Sequence, residues 1–64
     1  MKGKITRLVA DKGFGFIKGE DGTEYFFHRS AVKNAKFEEL DENADVEFED
    51  GTGPKGPRAE DIYI

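Results

Sequence analysis

The chain has 64 residues, with ten Lys and Arg against fourteen Asp and Glu, and it contains no cysteine. A chain of this length predicts a single domain, residues 1–64, with a thin core. Without cysteine it has no disulfide, thiolate metal ligand or cysteine nucleophile. No apolar run approaches the ~20 residues of a membrane span, and the first residues lack the apolar stretch of a signal peptide, so we expect a soluble, cytoplasmic protein with no membrane partner.

Charge is distributed unevenly along the chain. Residues 1–37 carry eight basic and four acidic side chains (+4), whereas residues 38–64 carry two basic and ten acidic side chains (−8). The net charge of −4 argues against a polyanion partner, but this asymmetry predicts one basic face that attracts anions at short range. A surface that is only solvated is the alternative.

Turn signals at short intervals predict three strands in the first half of the chain. Residues 4–9 and 14–18 are predicted as strands separated by the turn Asp11-Lys12-Gly13. Glu20-Asp21-Gly22 contains the Asp-Gly pair of a tight hairpin, and residues 23–28 form a third strand rich in aromatic residues. These strands are expected to form a meander.

The second half of the chain predicts two more strands after a long connection. One helical turn is expected at Ser30-Ala31-Val32, and residues 33–43 lack helical periodicity. Residues 44–49 alternate apolar and acidic side chains, which indicates a fourth strand with an acidic outer face. Residues 51–57 have the composition of a loop, and residues 58–64 are the fifth strand. Five short strands in so small a chain favour an all-β fold, a closed or nearly closed barrel.

Strands two and three are apolar on both faces, although a barrel has only one interior. Residues two apart in a strand share a face, and the presence of His28 indicates which set points outward. The predicted outer set is Phe14, Phe16, Phe26 and His28, and the predicted inner set includes Ile17, Tyr25 and Phe27. The reverse assignment, with Phe14 and Phe16 in the core, stays open from the pattern alone. Exposed rings of this kind tend to mark a binding surface.

Cations lie at or beside these aromatic strands: Arg7, Lys12, Lys18 and Arg29. Bases stack on aromatic rings at about 1–3 kcal/mol per base, and phosphates require cations beside the stack. The combination of rings and cations predicts a surface for a single nucleic-acid strand.

Two segments resemble the ribonucleoprotein motifs of the cold-shock domain family: Lys12-Gly13-Phe14-Gly15-Phe16-Ile17 and Tyr25-Phe26-Phe27-His28. Gly3-Lys4-Ile5, Ser30-Ala31-Val32 and Lys55-Gly56-Pro57-Arg58-Ala59 also match in kind and order, so the resemblance covers essentially the whole chain. It implies a five-stranded antiparallel oligonucleotide-binding (OB-fold) barrel, a cytoplasmic protein, and an RNA chaperone that binds single-stranded RNA or DNA.

The resemblance also implies site residues. Those on the ligand surface would be Lys12, Phe14, Phe16, Phe26, His28 and Phe37, with Lys55 and Arg58 contacting backbone or base from the last loop. The family usually carries aromatic residues where this chain has Arg7, Leu8 and Arg29, and an asparagine at Val9. Because a guanidinium is planar and attracts phosphate, Arg7 and Arg29 are expected to recover part of the lost stacking and to make binding weaker and more electrostatic.

Other site chemistries find little support in the sequence. His28 is the only histidine and has no Cys or second His as a metal-binding partner. No serine or cysteine nucleophile is placed beside it, and residues 38–42 are interpreted as a solvated acidic loop. We expect no enzyme activity, cofactor or small-molecule substrate, and a monomer. The alternative function is a small protein-interaction barrel that uses its acidic C-terminal half.

Overall fold

The computed structural model describes residues 1–53 and 56–64. The strands are β1 (Lys2–Val9), β2 (Phe14–Gly19), β3 (Glu24–His28), β4 (Asp45–Gly53) and β5 (Gly56–Tyr63). Two three-residue 3-10 turns, Arg29–Ala31 and Phe37–Glu39, lie between β3 and β4. Within the described ranges, no helix is long and apolar enough to cross a membrane.

The strands close into a barrel in the order β1-β2-β3-β5-β4. This confirms the all-β, five-stranded barrel, but the prediction that it is antiparallel throughout is wrong at one seam. β3 and β5 pair in parallel, with Phe26 opposite Arg58, whereas the other four pairings are antiparallel. A closed barrel with an odd number of strands has no arrangement in which every neighbouring pair is antiparallel. At least one parallel pair of strands is therefore unavoidable.

The glycine-rich segment that composition assigned to a loop is largely strand. β4 runs to Gly53 and β5 begins at Gly56, and these two residues are cross-strand partners. The predicted loop is therefore wrong at residues 51–53 and 56–57, and positions 54 and 55 lie outside the described residues. Glycine and proline are depleted in strands, but hairpin pairing outweighs that preference here.

The barrel interior is filled by apolar side chains from all five strands. The predicted inner set is confirmed, because Ile17 and Phe27 are fully buried and Tyr25 is nearly so. The complete core is Ile5, Ile17, Tyr25, Phe27, Phe37, Leu40, Val46, Phe48, Ala59 and Ile62. Phe37 and Leu40 come from the connection between β3 and β4, which therefore contributes two core side chains rather than being only a solvated loop.

Candidate functional site

Three phenylalanine rings contact one another on the outer side of β2 and β3. The ring centroids are 5.4 Å apart for Phe14 and Phe26, and 6.0 Å apart for both Phe16–Phe26 and Phe14–Phe16. These separations lie in the range of favourable aromatic pairs. All three side chains are half-buried, so the rings are held by one another while part of their surface faces solvent. We call them the aromatic cluster.

Two rings of the aromatic cluster belong to a row of cross-strand partners that spans four strands. Arg7 on β1 lies opposite Phe16, Phe16 lies opposite Phe26, and Phe26 lies opposite Arg58 on β5. Because cross-strand partners share a face, the two phenylalanines have an arginine on each side. We call these four residues the Arg–Phe–Phe–Arg row.

The two arginines of the row are not equivalent. The guanidinium carbon of Arg58 lies 6.0 Å from the ring centroid of Phe26, within the range of a cation–π contact. Arg7 is exposed, and no such ring contact is found for it among the described residues.

Arg7 reaches the outer face because β1 contains a bulge. Ile5 pairs with Ile17, but the next matched pair is Arg7 with Phe16, which leaves Thr6 as the extra residue. Strict alternation from the buried Ile5 would have pointed Arg7 into the barrel. The bulge turns Arg7 outward and Leu8 inward, where Leu8 packs against the core.

Glycine at position 15 allows the barrel to pack closely beneath the rings. A Cβ atom built there would lie 2.8 Å from two ring atoms of Phe27 and 2.7 Å from the carbonyl oxygen of Arg7. No side chain fits at this point, so the ring of Phe27 supports the strand from the inside while Phe14 and Phe16 project from the other side.

His28 lies in a second row, opposite Phe14, which in turn pairs with Val9. The Ser30 backbone N–H donates to His28 Nδ1 at 3.2 Å, and Ser30 Oγ lies 2.9 Å from the same atom. Since Nδ1 accepts, the neutral ring carries its proton on Nε2, which gives the exposed side chain a hydrogen-bond donor. In the ranges that the structure describes, no three His, Cys, Asp or Glu side chains are grouped to hold a metal ion.

Two further cations border the second row. Lys12 is exposed in the turn between β1 and β2, and Arg29 follows β3 directly. The Arg29 backbone N–H donates to the Gly13 carbonyl oxygen at 2.9 Å. Gly13 has a φ of 73°, and a Cβ there would lie 3.1 Å from Arg29 Cδ. The side-chain stem of Arg29 therefore crosses the turn next to Phe14.

The site cations are not neutralised by carboxylates within residues 1–53 and 56–64. The ion pairs found there join Lys4 to Asp45 at 3.7 Å and Lys33 to Asp61 at 3.6 Å. The guanidinium and ammonium groups beside the aromatic cluster are thus available to an external anion: Arg7, Lys12, Arg29 and Arg58. Lys18 was also expected near the rings. It lies two residues after Phe16 on β2, and its cross-strand partner is Glu24 on β3.

The sequence comparison assigns the chain to a family. A family model described as the 'Cold-shock' DNA-binding domain matches residues 1–64. The chain belongs to the cold-shock domain family. It is 45% identical to cold shock protein 2 of Lactiplantibacillus plantarum over 60 residues, which cover 94% of this chain and 91% of that protein. It is 46% identical to cold shock-like protein CspJ of Salmonella typhi over 67 aligned positions, covering 97% and 96%.

Some residues that the cold-shock resemblance pointed to are placed differently. Phe37 was expected on the ligand surface, but the structure buries its side chain, which is only 8% exposed. It packs in the core with its ring centroid 6.1 Å from that of Phe27. Leu8 also faces inward. The absence of an aromatic residue at this position therefore removes no ring from the outer face. Lys55 lies outside the described residues.

The outer side of β4 is acidic, as its alternation predicted. Val46 and Phe48 are buried, while the residues between and beside them are exposed: Asp45, Glu47 and Glu49. Glu49 lies opposite Glu60 on β5. An acidic surface therefore runs along the outer side of β4 and includes Glu60 of β5, whereas the arginines border the aromatic cluster.

Proposed function

We propose that this protein binds single-stranded RNA or DNA on the outer side of β1, β2 and β3. The observation that carries this proposal is the aromatic cluster, three rings that contact one another, two of which lie in a row with an arginine at each end. Bases stack on Phe14, Phe16, Phe26 and His28, and phosphates lie beside Arg7, Lys12, Arg29 and Arg58.

Stacking on the three rings reaches micromolar affinity only near its upper limit, so contacts between cations and phosphates are needed over most of the range. Three rings at about 1–3 kcal/mol per base supply about 3–9 kcal/mol, and micromolar binding requires about 8 kcal/mol. Arg7 and Arg29 stand where the family usually carries aromatic residues, so this protein relies on phosphate contacts more than a member with all of those rings. Its binding is consequently more sensitive to salt.

Single strands are preferred because stacking requires the face of an unpaired base. The described residues span 24 × 22 × 18 Å, a size that fits the short end of the roughly 4–16 nucleotides contacted by one such barrel. A protein that holds a few bases unpaired without altering them opposes RNA secondary structure. This is the action of an RNA chaperone, performed here by a monomer.

Binding is tested by fluorescence anisotropy with a labelled thymine hexamer, a uracil hexamer and a DNA duplex. We expect saturable binding of the single strands and much weaker binding of the duplex at equal salt. Chaperone action is tested with an RNA hairpin carrying a fluorophore and a quencher, which the protein should open as its concentration rises. Equal affinity for duplex and single strands contradicts the stacking mechanism.

Failure of the folded protein to bind any single strand at low salt would overturn the proposal. The alternative of a protein partner for the acidic side of β4 and β5 would then become the function to test, by charge reversal at Glu47 and Glu49.

A further inference from the structure

Arg7 occupies a position from which a base can be read. The bulge at Thr6 turns it onto the outer face directly opposite Phe16, and no carboxylate or ring in the described part of the chain engages its guanidinium. Arg58, at the other end of the row, packs over Phe26 instead. Of these two groups, Arg7 is the one free to contact the edge of a base stacked on Phe16.

We propose that Arg7 recognises guanine, so that this protein prefers single strands in which a guanine stacks on Phe16. This rests on the proposed function and adds base selectivity to the same surface. Paired residues of neighbouring antiparallel strands lie about 4.5–5.5 Å apart. A base on Phe16 therefore has an edge within reach of the long Arg7 side chain.

The chemistry of the guanidinium favours guanine over adenine, thymine and uracil. Its donors form a rigid fork that matches two adjacent acceptors. Guanine offers O6 and N7 on one edge, whereas on that edge adenine places a donor beside N7 and thymine or uracil offers a single oxygen. In a single strand this edge is accessible while the face of the base is stacked.

The distribution of arginine and lysine indicates that this geometry matters as well as charge. The chain contains three arginines and seven lysines. All three arginines border the aromatic cluster, as does Lys12. Arg7 lies opposite Phe16, Arg58 lies over Phe26, and Arg29 crosses the turn that precedes Phe14. Lys33 and Lys4 are instead paired with carboxylates, and Lys18 lies beside Glu24.

The test compares a labelled thymine hexamer with hexamers in which a single guanine is moved through each position. The best guanine strand is expected to bind about tenfold more tightly than the thymine hexamer. Exchanging that guanine for 7-deazaguanine, which lacks the N7 acceptor, should remove most of the gain. Adenine or cytosine at the same position should give none.

Variants identify the residue responsible. Arg7→Lys keeps the positive charge but loses the fork, so the guanine preference, measured as the ratio of guanine to thymine affinity, should be lost in this variant, whatever happens to the thymine affinity itself. Arg58→Lys is the matched control, because it makes the same exchange at the other end of the row. The ratio of guanine to thymine affinity should be unchanged in that variant, whatever happens to affinity itself.

The outcomes separate this inference from the proposed function. If the thymine hexamer binds and guanine brings no gain, or the gain survives in Arg7→Lys, guanine recognition is wrong and single-strand binding stands. If a cytosine strand gains as much as the guanine strand, the assignment to guanine is also wrong. If no single strand binds, both proposals are overturned.

Discussion

Phe16 is the residue on which most of the proposed binding surface depends. It contacts Phe14 and Phe26 and is the cross-strand partner of both Arg7 and Phe26. Its ring therefore supports the two other rings and neighbours the arginine from β1, and in the proposed function it is also a platform on which a base stacks.

Phe16→Ala is expected to weaken binding of a thymine hexamer by about 5- to 140-fold, which corresponds to the 1–3 kcal/mol of one stacked base. The matched control is Tyr63→Ala, because Tyr63 is also an exposed aromatic residue, 49% accessible on β5, but lies outside the aromatic cluster. Anisotropy titrations measure both variants after circular dichroism has shown that they are folded. Equal losses in the two variants would contradict the role assigned to the cluster.

Asp21 illustrates how one residue couples the β2–β3 turn to the barrel. Its carboxylate accepts the Thr23 backbone N–H at 3.0 Å and the Tyr25 hydroxyl at 2.8 Å. These hydrogen bonds, with that from the Thr23 backbone the largest cause, hold the pKa of Asp21 below its ordinary value of 3.8. The same contact with Asp21 raises the pKa of Tyr25 above its ordinary value of 10.0.

The lowered pKa of Asp21 predicts a specific loss of stability in acid. Since the folded-state pKa lies below the unfolded value, the contribution is complete above the ordinary value of 3.8 and disappears as the pH falls through the folded-state pKa. The free energy of unfolding of Asp21→Asn should therefore be lower than that of the unmodified protein near neutral pH, with the difference shrinking in acid. Urea denaturation across this pH range measures it.

Asp11→Asn, in the exposed turn before β2, is the control for the pH series. Its difference from the unmodified protein should be small throughout. A difference for Asp21→Asn that is independent of pH would be inconsistent with the carboxylate accounting for the stability.

At the scale of the elements, hydrophobic alternation predicted the strands and their two faces. The register of strand pairing determines which side chains are neighbours on each face. Hydrophobic alternation divided each strand into two faces, and His28 indicated which face is the outer one. The reverse assignment stayed open from the pattern alone, and the burial of Ile17 and Phe27 decides against it. Alternation gave no information on the bulge at Thr6, since a bulge changes pairing without changing composition. The Arg–Phe–Phe–Arg row, which depends on that pairing, could be assigned only from the structure.

The burial of Phe37 was missed for a related reason. It lies in a connection without periodicity, and only its contact with Phe27 across the barrel shows that it belongs to the core. Local sequence carries no signal for such a long-range contact, whereas the strand signals lie in neighbouring residues.

The β4–β5 pairing contains a feature that reduces stability. Glu49 and Glu60 are directly opposed, and like charges in this position are destabilising. Glu60→Lys should raise the free energy of unfolding by about 0.2–1 kcal/mol by replacing repulsion with attraction. Thermal denaturation should show a rise in Tm of a few degrees, roughly 4–8 °C per kcal/mol for a domain of this size.

The control for this substitution is Glu38→Lys, which makes the same charge change at an exposed residue of the β3–β4 connection. The gain from Glu60→Lys should exceed that of the control and should decrease with added salt, because exposed charges are screened. Equal gains would show that net charge, and not the opposed pair, sets the effect.

At the scale of the whole molecule, the fold keeps the arginines apart from the acidic side of β4 in a chain whose net charge is −4. Arg7 on β1, Arg29 after β3 and Arg58 on β5 border the aromatic cluster, while acidic residues line the outer side of β4. Net charge alone argued against a nucleic-acid ligand. The charge distribution and the aromatic cluster together support one.

This organisation predicts a moderate dependence of binding on salt. Four cations border the cluster, and at about −0.7 per phosphate the logarithm of the binding constant should fall against the logarithm of salt with a slope of about −3. Arg29→Gln should reduce the magnitude of that slope by about 0.7. Lys33→Gln is the control, because Lys33 is paired with Asp61 and should leave the slope nearly unchanged.

If the binding constant barely changes with salt, so that this slope is near zero, the cations do not contact phosphate. A slope that responds equally to Arg29→Gln and Lys33→Gln would show that they act only through the overall field of the protein.

The most direct test of the central claim is an NMR titration of the ¹⁵N-labelled protein with a thymine hexamer at low salt. The account predicts that the largest amide shifts occur at Arg7, Phe14, Phe16, Phe26 and His28, with small changes along the acidic residues of β4. Shifts concentrated on β4 and β5, or no shifts from a folded protein in excess hexamer, would contradict it.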